Sequence, residues 1–137
     1  MKKSILSSGF SLFLLLFLTV ISLKTVAAEP IVITIDVSPS VLNLQNKGEV
    51  VTVHTNIAYS IVSGSTVSLN GIEISWWKSD DRGYFVAKFL TSDVKNLPGL
   101  VIGGYNTLTL NGVTKEGVSF TGSEEIKVIN NIPAGKK

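Results

Sequence analysis

The chain has 137 residues, no cysteine and a formal net charge of +2 at neutral pH. The lack of cysteine excludes disulfides, thiol chemistry and cysteine-ligated metal sites. The positive charge belongs to the first 28 residues: without Lys2, Lys3 and Lys24, nine basic side chains remain against ten acidic ones, a formal charge of −1. The rest of the chain therefore lacks the basic excess that is typical of nucleic-acid binding, and we expect no nucleic-acid partner.

The N-terminal segment has the three parts of a secretory signal peptide. Two lysines follow Met1, residues 10–23 are almost entirely apolar, and Val26-Ala27-Ala28 places small residues at the positions that signal peptidase reads. We predict a signal-peptide helix over residues 1–28, cleaved before Glu29, and a secreted or periplasmic protein. The alternative is an uncleaved anchor, because residues 5–23 are just long enough to span a bilayer. Membrane contact is expected only through this segment, if it is retained.

The remaining residues have the pattern of one all-β domain. Short runs of alternating apolar and polar residues are separated by turn residues, and no run of ten or more has convincing helical spacing. An exported domain without disulfides depends on its hydrophobic core, which favours two sheets packed face to face. We predict an antiparallel β-sandwich over residues 29–130, followed by a flexible C-terminal tail over residues 131–137.

The first strands can be placed from alternation and turn residues. Ile31, Ile33, Ile35 and Val37 alternate with Val32, Thr34 and Asp36, and Pro39 ends the run because proline cannot donate to a β-ladder. Residues 50–55 predict another strand, and the serines and glycine of residues 56–65 predict a looser link. Residues 91–97 predict a single short helical turn.

The first of two predicted hairpins pairs residues 72–77 with residues 84–89. This register collects the large apolar side chains on one face and sets Glu73 against Lys88 on the other. A slip by one residue would exchange the two faces, so the pattern specifies the register strongly.

That register separates two adjacent tryptophans. Trp76 is expected opposite Phe85 in the core, and Trp77 opposite Tyr84 on the outer face, beside an acidic loop over residues 78–83. The sequence therefore predicts a buried Trp76 and a surface Trp77.

The second predicted hairpin is centred on Lys115-Glu116-Gly117. A three-residue loop that ends in glycine suits a type I turn followed by a left-handed residue, since glycine takes positive φ without steric cost. This loop sets Thr114 opposite Val118 and Gly112 opposite Phe120.

The chain ends in a predicted last strand over residues 126–129. Glu124 and Glu125, just before it, predict either a bulge or a charge that protects a sheet edge.

Four segments together resemble the secreted immunoglobulin-like β-sandwich modules of bacterial and archaeal extracellular proteins. The segments are VLNLQNKGEVVTV, STVSLNGIEI, YFVAKF and LTLNGVTKEGVSFTGSEEIKVI. The likeness covers about residues 33–129 and is most specific at the closing GVSFTGSEEIKVI. It implies an immunoglobulin-like fold and an extracellular location, and it transfers no catalytic residue. The segment SWWKSDDRGY departs from it by its wealth of aromatics.

Candidate catalytic and metal-binding residues are few. His54 is the only histidine, lies out of phase with the buried alternation of its strand, and has no nucleophile or metal partner at a recognisable spacing. Asp80 and Asp81, with Glu73, could attract calcium, but the loop lacks the alternating carboxylates of a dedicated site. We therefore expect no catalytic, cofactor-binding or metal-binding residues, and not an enzyme.

One candidate ligand or partner surface remains. It consists of Trp77, Tyr84, Asp80, Asp81 and Arg82. Such an aromatic pair can stack on sugar rings, anchor a protein partner, or only stabilise its hairpin by packing. We therefore predict an exported, non-catalytic binding or structural module at the cell surface or in the periplasm, with an unknown protein or glycan partner at the cell envelope. The alternative is a carbohydrate-binding module that uses Trp77 and Tyr84.

Overall fold

The structure is a computed structural model that describes residues 28–132. Nearly all of the predicted signal peptide lies outside the described residues, as does the predicted tail beyond Ile132. Among the described residues, no helix is long and apolar enough to cross a membrane.

Ten strands and two short helical turns make up the described part of the chain. In chain order they are β1 (Ile31–Val32), β2 (Ile35–Ser38), β3 (Val41–Asn43), β4 (Val50–Ala58), a 3-10 turn (Tyr59–Ile61), β5 (Val62–Leu69), β6 (Ile72–Glu73), β7 (Trp76–Ser79), β8 (Tyr84–Leu90), α1 (Thr91–Lys95), β9 (Tyr105–Thr114) and β10 (Ser119–Ile129). The predicted all-β class and the predicted helical turn are confirmed.

The strands form two sheets packed face to face. The six-stranded sheet has the order β1-β10-β9-β5-β6, with β3 beside β10 further along, and the four-stranded sheet has the order β2-β4-β8-β7. The pairing is antiparallel except at one edge, where β1 and β3 run parallel to β10. The prediction of an antiparallel sandwich therefore needs correction at that edge.

The core lies between the two sheets and comes from the inward-facing residues of both. Its largest fully buried side chains are Phe85, Phe89, Phe120, Leu42, Leu69, Leu108, Leu110 and Ile126. Burial of this apolar surface is the main force that holds the two sheets together.

The first predicted strand is divided between the sheets. Its alternation persists, with Ile33, Ile35 and Val37 all buried, but β1 pairs with β10 while β2 pairs with β4. Between β1 and β2 the chain passes from one sheet to the other directly over Gly122. A Cβ added at Gly122 would lie 2.8 Å from the carbonyl oxygen of Ile33. A glycine is therefore needed at this crossing.

Residues 56–65 are not the looser link that their composition predicted. Strand β4 continues to Ala58, with an irregularity after His54, and β5 begins at Val62, opposite Thr114 of β9. The long-range pairing with β8 and β9 overrides the weak local preference of serine and glycine for strands.

The second hairpin has the predicted register. Phe120 pairs with Gly112, the amide of Thr114 donates to the carbonyl of Val118 at 2.8 Å, and Gly117 has φ of 87°. The same regular register runs from Ser119 to Lys127 of β10, so the bulge, one of the two alternatives for Glu124 and Glu125, is wrong, as is the separate last strand. At the C-terminal end, Asn131, the first residue of the predicted tail, exchanges two hydrogen bonds with Asn43.

Glu124 links β10 of the six-stranded sheet to the edge strand β2 of the four-stranded sheet. It occupies an inward-facing position opposite Leu108, and its carboxylate accepts a 2.5 Å hydrogen bond from the amide of Val37 on β2. Strand β2 is an edge of the four-stranded sheet, and this amide is directed to Glu124. An inward-pointing charge is a known way to protect such an edge.

Replacement of Glu124 by alanine should weaken the sandwich. We predict that Glu124→Ala lowers the free energy of unfolding by about 1–3 kcal/mol, because the half-buried amide of Val37 is left unpaired. Glu125→Ala is the matched control, since Glu125 is exposed, and it should change stability by less than about 0.5 kcal/mol. Urea unfolding of both variants measures the difference, and equal losses would contradict this role of Glu124.

Candidate functional site

The first hairpin has a different register from the predicted one. Trp76 pairs with Lys88 and Trp77 with Ala87, so the observed partner of each tryptophan lies three positions after the predicted one. Because successive side chains on a strand point to opposite faces, an odd shift exchanges the faces. The predictions of a core Trp76 and an outer-face Trp77 beside Tyr84 are therefore wrong.

The shift comes from a shorter loop than predicted. The amide of Asp80 donates to the carbonyl of Tyr84 at 2.9 Å, the amide of Gly83 donates to the carbonyl of Asp80 at 3.0 Å, and Gly83 has φ of 84°. The loop of the second hairpin, at residues 115–117, is closed by the same two backbone hydrogen bonds. Asp81-Arg82-Gly83 is thus a second three-residue loop that ends in glycine, and the preceding Lys78 and Ser79 belong to β7.

The predicted strand over residues 72–77 is also divided between the sheets. Asn70 and Gly71 both have positive φ, which forms a tight two-residue turn and pairs β6 with β5 in the six-stranded sheet. The chain then crosses at residues 74–75 to begin β7 in the four-stranded sheet. Glu73 consequently lies opposite Ser68 rather than opposite a lysine.

Trp77 closes one side of the sandwich. It occupies an inward-facing position opposite the fully buried Ala87, and its indole lies against Gly64 of β5 in the other sheet. A Cβ added at Gly64 would lie 2.5 Å from the indole nitrogen Nε1 and 2.6 Å from Cδ2, distances that real contacts do not reach. Trp77 therefore packs between the sheets, although 38% of its surface stays exposed.

This contact predicts a strong coupling between Gly64 and Trp77. Gly64 does not have positive φ, so Gly64→Ala should be destabilising only through its clash with the indole, by about 1–3 kcal/mol. In a Trp77→Ala background the same substitution should cost less than about 0.5 kcal/mol. Gly48→Ala is the control, because its added Cβ meets only ordinary contacts at 3.5 Å. Additive losses in a double-mutant cycle, measured by urea unfolding, would show that the indole does not lie on Gly64.

Trp76 lies on the outer face of the four-stranded sheet and is 46% exposed. The Nζ of Lys88 lies 5.4 Å from the centroid of its ring and donates to the hydroxyl of Thr52 at 2.7 Å. Desolvation lowers the pKa of Lys88, and the positive charge of Lys78 lowers this pKa further. The structure thus places an open aromatic ring beside two lysines.

Three of the five predicted surface residues come together at the far end of the same hairpin. The carboxylate of Asp80 accepts hydrogen bonds from the amides of Arg82 at 2.8 Å and Tyr84 at 2.9 Å. The bond from Tyr84 is the main reason why the pKa of Asp80 is lowered, assisted by the amide and charge of Arg82 and opposed by desolvation. The guanidinium of Arg82 lies 5.6 Å from the ring centroid of Tyr84. Asp81 is exposed, and Trp77 is not part of this group.

A shallow polar cleft of about 360 Å³ lies next to this group. Asp80 and Arg82 line it together with Asp36 and His54 of β2 and β4. His54 is exposed, as its position in the alternation predicted. No group of three or more histidine, aspartate or glutamate side chains among residues 28–132 is arranged to hold a metal ion.

The outer face of the four-stranded sheet joins these features into one surface, which we call the Trp76 face. It is formed by Thr52, Trp76, Lys78, Arg82, Tyr84 and Lys88. Val86 points to the same side and yet is 0% exposed, so the surrounding side chains lie over it. The glycine-terminated loop was the signal in the sequence that could have identified Trp76 and the two lysines.

Comparisons of the chain with protein families, with curated proteins and with solved structures found no match.

Proposed function

We propose that the protein is an exported, non-catalytic binding module of the cell surface or periplasm, and that it contacts its ligand through the Trp76 face. The observation that carries this proposal is the difference between the two tryptophans. Trp77 packs on Gly64, whereas Trp76 leaves nearly half of its surface in solvent on the outer face of a sheet. Exposed tryptophan, tyrosine and arginine side chains are the residues that most often dominate binding surfaces.

Export and the immunoglobulin-like relationship are parts of the same proposal. Support for export comes from the basic start, the apolar stretch and the small residues that end at Ala28. Support for the relationship comes from the two packed sheets and from a first strand that is divided between them.

A carbohydrate-binding module is the specific form of this function that the outer face favours. Trp76 offers a flat ring beside the hydroxyl of Thr52, which can donate to or accept from sugar hydroxyls, and beside the ammonium group of Lys88, which can donate to them. The polar cleft at the other end of the hairpin adds further hydrogen-bonding groups. The carbohydrate hypothesis thus keeps Tyr84 and replaces Trp77 by Trp76.

The test is a calorimetric titration of the protein, purified from cells that express the full chain, against polysaccharides and cell-wall fractions. We predict that Trp76→Ala weakens binding at least about 10-fold, because an aromatic anchor contributes about 2 kcal/mol or more. Its melting temperature should fall by less than about 8 °C, since 46% of Trp76 is already in solvent and its cation–π contact with Lys88 contributes about 0.5–1 kcal/mol.

The matched control is Tyr105→Ala, which removes an aromatic side chain that is 67% exposed on the six-stranded sheet. Binding should be unchanged in this variant. Binding that survives the loss of Trp76 but not the loss of Tyr105 would place the ligand on the opposite sheet. Turnover of any bound polysaccharide would contradict a non-catalytic module.

A further inference from the structure

We infer that the ligand of the Trp76 face is a negatively charged polysaccharide, with an anionic group held between Lys78 and Lys88 and a sugar ring stacked on Trp76. This inference rests on the proposed function and gives it a chemical class of ligand.

The first observation is the placement of the two lysines. Trp76 pairs with Lys88 and Lys78 pairs with Val86, so the lysines are diagonal neighbours on adjacent strands, with side chains on the same face. Diagonal neighbours lie about 7–8 Å apart and are within reach of each other's long side chains. Their mutual repulsion is seen in the contribution of Lys78 to the lowered pKa of Lys88. An anion between them would remove this repulsion.

The second observation is the way in which Lys88 is held. Its ammonium group lies between the hydroxyl of Thr52 and the ring of Trp76, and no carboxylate among residues 28–132 forms an ion pair with it. The charge is thus kept in place beside the aromatic ring without being neutralised. One ligand can stack on the ring and bring its negative group to the ammonium in the same binding event.

The third observation is the length of the surface. Residues two apart on a strand are separated by about 6.5–7 Å, so the Trp76 row and the row of Asp80 and Tyr84 lie about 13 Å apart. This is longer than a single sugar ring and suits a polymer that runs along the hairpin. Asp80 makes the far end less favourable for anions, so the anionic group belongs at the Trp76 end.

The fourth observation is that this positive charge is local. The residues after Ala28 carry one more acidic than basic side chain, so the protein as a whole does not attract polyanions. Complementarity with an anionic ligand is therefore a property of the Trp76 face itself.

The experiment compares polymers that differ only in charge. The protein, purified from cells that express the full chain, is titrated with dextran, carboxymethyl-dextran and dextran sulfate, and with polygalacturonate and its methyl ester. At low salt, at least one charged polymer should bind 10-fold or more tightly than its neutral counterpart, and added salt should weaken only the charged one. Binding of carboxymethyl-dextran or polygalacturonate would indicate a carboxylate ligand, and binding of dextran sulfate would indicate a sulfate ligand.

Variants assign the effect to the proposed groups. Lys88→Gln and Lys78→Gln should each weaken binding of the charged polymer 3-fold to 10-fold, and this loss should exceed any loss of binding to the neutral polymer. Lys127→Gln, on the outer face of the six-stranded sheet beside Tyr105, is the matched control and should have no effect. Trp76→Ala should weaken binding of both polymers. Polyglutamate, an anionic polymer without sugar rings, should bind at least 10-fold more weakly than the charged polysaccharide.

The outcomes separate this inference from the proposed function. Equal binding of charged and neutral polymers, or no binding of any charged polymer, overturns the inference; loss of glycan binding in Trp76→Ala would then still support the proposed function. Equal binding of polyglutamate, unchanged by Trp76→Ala, overturns the sugar ligand and the proposed contact surface together.

Discussion

The three-residue turn Asp81-Arg82-Gly83 is the constraint on which the candidate site depends. Because Gly83 takes positive φ, the loop closes at Asp80, and every pairing of β7 with β8 follows from that closure. The carboxylate of Asp80 accepts hydrogen bonds from two amides of the loop, and these bonds lower its pKa. The register then decides which tryptophan points inward and which points to solvent.

Two adjacent tryptophans consequently have different roles. Trp77 closes the side of the sandwich against Gly64, while Trp76 stands beside Lys88 on the outer face. On the other edge of the same sheet, the carboxylate of Glu124 holds β2 by accepting a hydrogen bond from the amide of Val37. Each edge strand of the four-stranded sheet is thus tied to the other sheet by one specific contact. The outer face between these two edges carries Trp76 and Lys88.

The sequence was sufficient to predict an element where its local signals agreed. It was insufficient where a strand pairs with a distant part of the chain. The all-β class and the hairpin at residues 115–117 follow from alternation and one glycine. The predicted register of the first hairpin was wrong because the apolar alternation of residues 72–77 was given more weight than the loop. That alternation misled because the segment is divided between the two sheets. The parallel pairing of β1 and β3 with β10 has no local signature. Of the predicted surface, Asp80, Arg82 and Tyr84 meet, whereas the predicted pairing of Tyr84 with Trp77 does not occur.

The most direct test of this account is a nuclear Overhauser measurement on the two indoles. With Trp77 lying on Gly64, its indole protons should show strong cross-peaks to the α-protons of Gly64, and these α-protons should be shifted by the ring current. Trp76 should show cross-peaks to the side chain of Lys88 instead. Cross-peaks from Trp77 to the ring of Tyr84, and from Trp76 to the buried ring of Phe85, would contradict the register and with it the assignment of the Trp76 face.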